Sequence, residues 1–147
     1  MKKSKLVTTN HDLEILYIRT FHIIEGAIYK QLRKINIQPI IGAMVAEIYR
    51  LGSPSPTELA KVSRRKPQTI TAIVDRMEAK GLIRRVTNER KKNTYKICLT
   101  EKGLLVHKKI LMVDVFYRCI ETLTEEKRKV FQECLEEMAT HAKKLRM

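Results

Sequence analysis

The feature that most constrains the fold is a change in the spacing of apolar residues in the middle of the chain, from a helical repeat to the alternation of β-strands. The helical part comes first. Ser55 and Glu58 form a capping box around a proline, which predicts a short helix over residues 56–62. Pro67 begins a second helix, and Gly81 is placed to end it. The apolar residues of this second helix recur at helical spacing and share one face, namely Ile70, Ile73, Val74 and Met77. A short helix, a tight turn and a longer helix form a helix-turn-helix.

Two strands are predicted directly after the helix-turn-helix. Residues 82–87 and 94–99 have the alternating pattern of strands. In the second strand Tyr95, Ile97 and Leu99 alternate with Thr94, Lys96 and Cys98. The tip between the strands, residues 88–93, is polar and basic. A β-hairpin attached to a helix-turn-helix is the plan of a winged helix, in which the hairpin is the wing.

Long amphipathic segments flank this central part. Apolar residues in segments 11–35 and 104–123 recur at helical spacing but cover more than one face, which is too much for a small monomer to bury. A further helix is predicted over 39–50, ended by Gly52, and another from Thr124 to about Arg146.

The predicted fold is therefore mainly α with a small two- to three-stranded β wing. We expect residues 1–147 to form one domain. Within it, residues 38–103 are predicted to form the winged helix-turn-helix, and residues 1–37 and 104–147 the helices of a homodimer interface.

Basic residues are concentrated on the predicted winged helix. The whole chain carries a net charge of +14. Residues 61–96 contain twelve basic and three acidic residues, so they account for +9 of it. A charge run is usually a solvated face, but this one coincides with the elements that enter DNA grooves, so double-stranded DNA is the predicted partner.

Individual residues of this segment are assigned to DNA contacts by their chemistry. Gln68 can pair with the adenine edge, and Thr69 and Thr71 can contact a base, a phosphate or a thymine methyl. Lys66 stands where an N-cap Ser or Asp is preferred, and is interpreted either as an uncapped turn residue or as a cation over the DNA backbone. The predicted DNA-binding residues are Arg64, Arg65, Lys66, Gln68, Thr69, Thr71 and Arg76, with Arg90, Lys91 and Lys92 at the wing tip for the minor groove.

Other classes of protein are disfavoured. The scattered glycines form no phosphate-binding loop, and no catalytic triad, carboxylate pair or metal motif is evident, so we expect no enzyme, cofactor or metal. Neither an export signal nor a membrane span is evident, and a cytoplasmic location is expected. The three cysteines are expected to be free thiols, with Cys98 more exposed than Cys119 and Cys134.

Three motifs make the chain resemble the MarR family of bacterial and archaeal transcription regulators. They are Thr57-Glu58-Leu59-Ala60, the run TITAIVDRMEAKGLIRR at residues 69–85, and Leu99-Thr100-Glu101-Lys102-Gly103. The resemblance implies a homodimer with interlocked terminal helices, recognition helices in successive major grooves, wings in the minor groove and a pocket for a small-molecule effector. At the wing, Lys91-Lys92-Asn93 replaces the Asp-x-Arg of the family, and Glu89-Arg90 is the nearest substitute.

These observations predict a homodimeric, sequence-specific regulator, a repressor of transcription, that binds pseudo-palindromic operators. The alternative is a winged-helix module for protein interaction, or for nonspecific or RNA-associated nucleic-acid binding without a dedicated operator. Gln68, Thr69 and Thr71 favour the first interpretation, because a purely electrostatic module needs none of them.

Overall fold

The computed structural model describes residues 9–87 and 94–145, which form seven helices and two strands. The elements are α1 Asn10–Lys34, α2 Pro39–Leu51, α3 Pro56–Ser63, α4 Pro67–Ala79, β1 Ile83–Thr87, β2 Tyr95–Leu99, α5 Glu101–Leu111, α6 Val115–Glu121 and α7 Glu125–Leu145. The chain forms two compact units, Met1–Val113 and Asp114–Met147. The first unit therefore holds the helix-turn-helix, and the second holds α6 and α7.

The helix-turn-helix begins and ends where the local sequence predicts. Ser55 and Glu58 make the capping box reciprocally, because each side chain accepts from the backbone N–H of the other residue, at 3.3 and 2.7 Å. Gly81 follows α4 with a φ of +69°, the left-handed conformation in which glycine is favoured. The apolar stripe of α4 is buried and packs with α2, α3 and the sheet around Ile48, Leu59 and Ile97.

The wing is a two-stranded antiparallel sheet in the described part of the chain. Ile83 pairs with Leu99, and Thr87 pairs with Tyr95. The backbone N–H of Ile97 also donates to the Pro54 carbonyl at 2.8 Å, which attaches β2 to the segment before α3. The wing tip, residues 88–93, lies outside the described residues.

The Leu-Thr-x-x-Gly motif joins the wing to α5. The Thr100 hydroxyl accepts from the Gly103 N–H at 3.1 Å and donates to the Gly81 carbonyl at 2.6 Å. A Cβ atom on Gly103 would overlap the Leu82 carbonyl oxygen and would lie 3.1 Å from the Leu99 side chain. Glycine is thus required here by the close approach of α5 to the residue that precedes β1.

Replacing Gly103 by Ala is expected to lower the free energy of unfolding by roughly 1–3 kcal/mol, because the added methyl group forces the backbone of Leu82 to move. Urea denaturation measures the change. The matched control is Gly26→Ala in α1, where a Cβ atom meets nothing within 4 Å and helix propensity predicts a gain of roughly 0.5–1 kcal/mol. Equal effects of the two substitutions would contradict this account of Gly103.

Broad apolar surfaces remain exposed on the helices outside the winged helix. In α1 only Leu32 is buried, whereas Leu13, Leu16 and Phe21 are about half exposed. In the second unit no residue of α6 or α7 is buried. A groove of about 550 Å³ between these two helices is lined by Phe116, Ile120, Phe131, Leu135 and Ala139, with Arg128, Gln132 and Glu136 beside them.

The prediction that Cys98 is more exposed than Cys119 and Cys134 is wrong. Cys98 is half-buried, whereas Cys119 and Cys134 are exposed. Cys98 lies directly opposite Arg84 in the wing, so the neighbouring strand limits its exposure. Cys119 and Cys134 lie on α6 and α7, in which no residue is buried.

No described helix has the length and apolar character needed to cross a membrane.

Candidate nucleic-acid interface

The exposed face of α4 carries the residues predicted to read DNA bases. Gln68, Thr69, Thr71 and Arg76 are exposed, while the apolar stripe on the other side of the helix is buried. The predicted orientation of α4 is therefore confirmed. The outer face of α4 is polar. Near the middle of the helix, Ala72 is the only exposed residue whose side chain has no polar group.

The hydroxyl of Thr71 is already engaged within the helix. It donates to the Pro67 carbonyl oxygen at 3.1 Å. A threonine hydroxyl has a single hydrogen, so Thr71 presents to a partner only acceptor lone pairs and its methyl group. This chemistry suits a thymine methyl or the amino group of adenine or cytosine, and it does not suit guanine, whose major-groove edge offers only acceptors.

Three cations occupy the turn between α3 and α4. Arg64, Arg65 and Lys66 are all exposed. Arg64 ends α3 in the left-handed conformation, with φ 53° and ψ 38°, which non-glycine residues adopt infrequently. Lys66 is the N-cap of α4 and makes no side-chain capping hydrogen bond. The N-cap side chain therefore gives the first-turn N–H groups of α4 no acceptor, and three cationic residues precede the helix in sequence.

Two cations of the basic segment are neutralised within the fold. Arg85 on β1 pairs with Asp75 and with Glu78 of α4, the latter at 3.3 Å. Lys96 on β2 pairs with Glu58 of α3 at 3.1 Å. The net charge of +9 already subtracts Asp75 and Glu78, but it does not include Glu58, which lies outside residues 61–96 and pairs with Lys96.

The environment of Glu58 lowers the pKa of its carboxyl group from 4.5 to about 2. The main cause is the hydrogen bond from the Ser55 N–H, followed by the Ser55 hydroxyl and the Lys96 ammonium. A depressed folded-state pKa stabilises the fold above the unfolded-state value, and the contribution is lost as the pH falls towards the folded-state value.

We expect the Glu58 contribution to stability to be complete above about pH 4.5 and to disappear as the pH falls to about 2. Urea midpoints measured across this range test it. Glu58→Gln should be less stable at neutral pH and should show a shallower decline in acid, whereas Glu133→Gln, at an exposed position on α7, should keep the wild-type decline. An unchanged acid profile in Glu58→Gln would rule out this role.

The other predicted DNA-binding cations that the structure describes form no ion pairs with described residues. Arg64, Arg65, Lys66 and Arg76 are exposed and make no ion pair with any described residue. They flank the outer face of α4 on the turn and on the helix itself. Arg90, Lys91 and Lys92, the predicted wing-tip cations, lie outside the described residues.

The fold and this surface define a winged helix-turn-helix protein. Among solved structures, the organohalide-sensing transcriptional regulator RdhR in its 2,4-dichlorophenol-bound form is 27% identical, with a TM-score of 0.73 over 96% of this chain and 87% of RdhR. MepR from S. aureus, solved as a complex with DNA, superposes with a TM-score of 0.75 over 87% of this chain and 96% of MepR. Its identity is 18%, so this likeness concerns the fold alone.

The sequence comparisons agree on a family. The MarR family model matches residues 43–92, which run from α2 through α3 and α4 to beyond β1. The HTH-type transcriptional repressor MdtR of Bacillus subtilis is 26% identical over 117 residues, which are 78% of this chain and 76% of MdtR. Over residues 43–92 the chain is therefore similar to the MarR family, and its fold matches that of the transcriptional regulator RdhR.

Proposed function

We propose that this regulator is a homodimeric, sequence-specific repressor that binds pseudo-palindromic operators. The observation that carries the proposal is the outer face of α4, where polar side chains suited to base edges are exposed and unpaired cations flank them. MdtR, which is 26% identical over 78% of this chain, is named as a repressor, and this supports the same role here.

In this proposal α4 enters the major groove. Gln68, Thr69, Thr71 and Arg76 contact bases or nearby phosphates, and Arg64, Arg65 and Lys66 hold the backbone. The N-terminus of α4, which has no side-chain cap, adds free backbone N–H groups and the positive end of the helix dipole, both of which favour a phosphate. The alternative of a protein-interaction module would leave this set of base-reading residues without a role.

The wing is proposed to reach the adjacent minor groove through Arg90, Lys91 and Lys92. Three neighbouring cations suit the negative potential of a narrow minor groove. The absence of the Asp-x-Arg pattern at residues 91–93 means that these contacts differ in detail from those of relatives that have it.

The exposed apolar surfaces are the basis for proposing a homodimer. We assign residues 1–37 and 104–147 to the interface and residues 38–103 to DNA binding, within a single functional domain. A two-fold dimer presents its two recognition helices to half-sites about one helical turn apart.

A small-molecule effector is part of the same proposal. RdhR is described as organohalide-sensing and was solved with 2,4-dichlorophenol. An effector of this chain would act by favouring one spacing of the two recognition helices over another.

Selection of bound sequences from a random duplex library tests the proposal, together with light scattering of the free protein. We expect a two-fold motif and the mass of a dimer at micromolar concentration. A stable monomer would exclude the dimeric model. Binding of duplexes without any enriched motif would instead favour a nonspecific nucleic-acid module.

A further inference from the structure

A carboxylate lies on the face of α4 that is proposed to enter the major groove. Asp75 follows Thr71 by one helical turn and Gln68 by two, so the three residues form one exposed stripe. The Asp75 side chain is 59% exposed. An unpaired negative charge at this position would oppose the approach of DNA phosphates.

Arg85 supplies the positive charge that compensates Asp75. Its guanidinium donates from Nη2 to Asp75 Oδ1, and its Nε lies 3.3 Å from Glu78 Oε2. The same guanidinium lies 4.9 Å from the centre of the Tyr95 ring, in cation–π geometry. Arg85 is only 29% exposed, so β1, β2 and α4 all limit its movement towards an external ligand.

The two carboxylates held by Arg85 are the only acidic residues of α4. Their counter-charge thus comes from the wing and not from the recognition helix itself. The neighbouring Arg84 is exposed, projects from the opposite face of β1 and makes no ion pair with a described residue. Arg84 is therefore a matched control, because it has the same charge and an adjacent position without the carboxylates.

We infer that Arg85 is a positioning residue for DNA binding and not a phosphate contact. It neutralises Asp75 and Glu78 so that α4 can approach the DNA, and it fixes the base of the wing against that helix. This inference rests on the proposed function, since it assigns the role to the same DNA-binding surface.

A competing explanation is that Asp75 serves Arg85, by orienting its guanidinium towards a DNA phosphate. The two explanations predict different results for Asp75→Asn. If Arg85 neutralises Asp75, removing the carboxylate leaves DNA affinity unchanged or raises it. If Asp75 aims Arg85, the same substitution weakens binding.

The test is fluorescence anisotropy with a labelled mixed-sequence DNA duplex at fixed low salt. We expect Arg85→Gln to weaken binding by about tenfold, because like charges then face the phosphates. We expect Asp75→Asn to bind at least as tightly as the wild type, and the triple variant Arg85→Gln, Asp75→Asn, Glu78→Gln to recover affinity to within about threefold of it. Arg84→Gln is the matched control: it removes the same charge but leaves both carboxylates paired with Arg85, so we expect it to weaken binding less than Arg85→Gln does.

Several results would overturn the inference. Weaker binding by Asp75→Asn would show that the carboxylate aims the arginine. Failure of the triple variant to recover, although its thermal denaturation matches that of the wild type, would show that Arg85 contacts DNA itself. If Arg85→Gln does not fold, Asp75→Asn still decides between the two explanations, since that variant leaves Arg85 itself unchanged. Absence of duplex binding by the wild type would instead contradict the proposed function.

Discussion

The affinity of the protein for its operator is expected to fall about 10³- to 10⁵-fold between about 50 and 200 mM salt, if a dimer makes on the order of 6 to 10 phosphate contacts. Lysine and arginine release the counterions condensed on DNA, so the logarithm of affinity falls linearly with the logarithm of salt concentration. Each chain of the proposed dimer offers Arg64, Arg65, Lys66 and Arg76 as exposed cations on the helix-turn-helix. Anisotropy titrations at several salt concentrations measure the slope.

A charge-matched pair of variants shows where the protein neutralises phosphates. Replacing Arg64, Arg65 and Lys66 together by Gln is expected to reduce the slope by about 0.9 for each phosphate that is no longer neutralised. Replacing Lys127, Lys129 and Lys143 of α7 by Gln removes the same net charge at exposed positions outside the winged helix. Since α7 is assigned to the dimer interface, light scattering first checks that this variant keeps the wild-type mass, and its slope should then be unchanged. A wild-type affinity that does not respond to salt would exclude DNA as the ligand.

Local sequence signals predicted the winged helix because each one acts over a few residues. The capping box of Ser55 and Glu58, the glycine after α4 and the alternating pattern of the wing strands all have local physical causes, and the structure contains each of them. The buried stripe of α4 followed from helical spacing alone. It also fixed the outer face, which carries the predicted base-reading residues.

The ion pairs of the surface could not be predicted in this way. Arg85 and Asp75 are ten residues apart, and Lys96 and Glu58 are 38 apart, so both pairs depend on how β1 and β2 pack beside the helices. In the sequence alone, Arg85 and Lys96 are therefore indistinguishable from the unpaired cations of the basic segment. The interruption of the helix at residues 112–114, between α5 and α6, was likewise not evident from the sequence, because apolar residues continue through it.

The sequence preference of the operator is expected to depend on Gln68 and Thr71 and not on the wing. Replacing either residue by Ala should relax the preference at one or two base positions in each half-site and weaken binding there by roughly 1–3 kcal/mol, because the side chain no longer reaches a base edge. Replacing Arg90, Lys91 or Lys92 by Ala should weaken binding to all duplexes almost equally. Selection from a random duplex library with each variant measures both effects.

The engaged hydroxyl of Thr71 makes this prediction more specific. Since the hydroxyl donates to the Pro67 carbonyl, we expect no preference for guanine at the position that Thr71 contacts. Thr71→Val keeps the methyl group and removes the hydroxyl. It should retain the wild-type motif if the contact is to a thymine methyl, and should lose the preference if the hydroxyl accepts from adenine or cytosine. A motif altered by the wing variants but unchanged in Gln68→Ala and Thr71→Ala would reverse the roles assigned to the wing and the recognition helix.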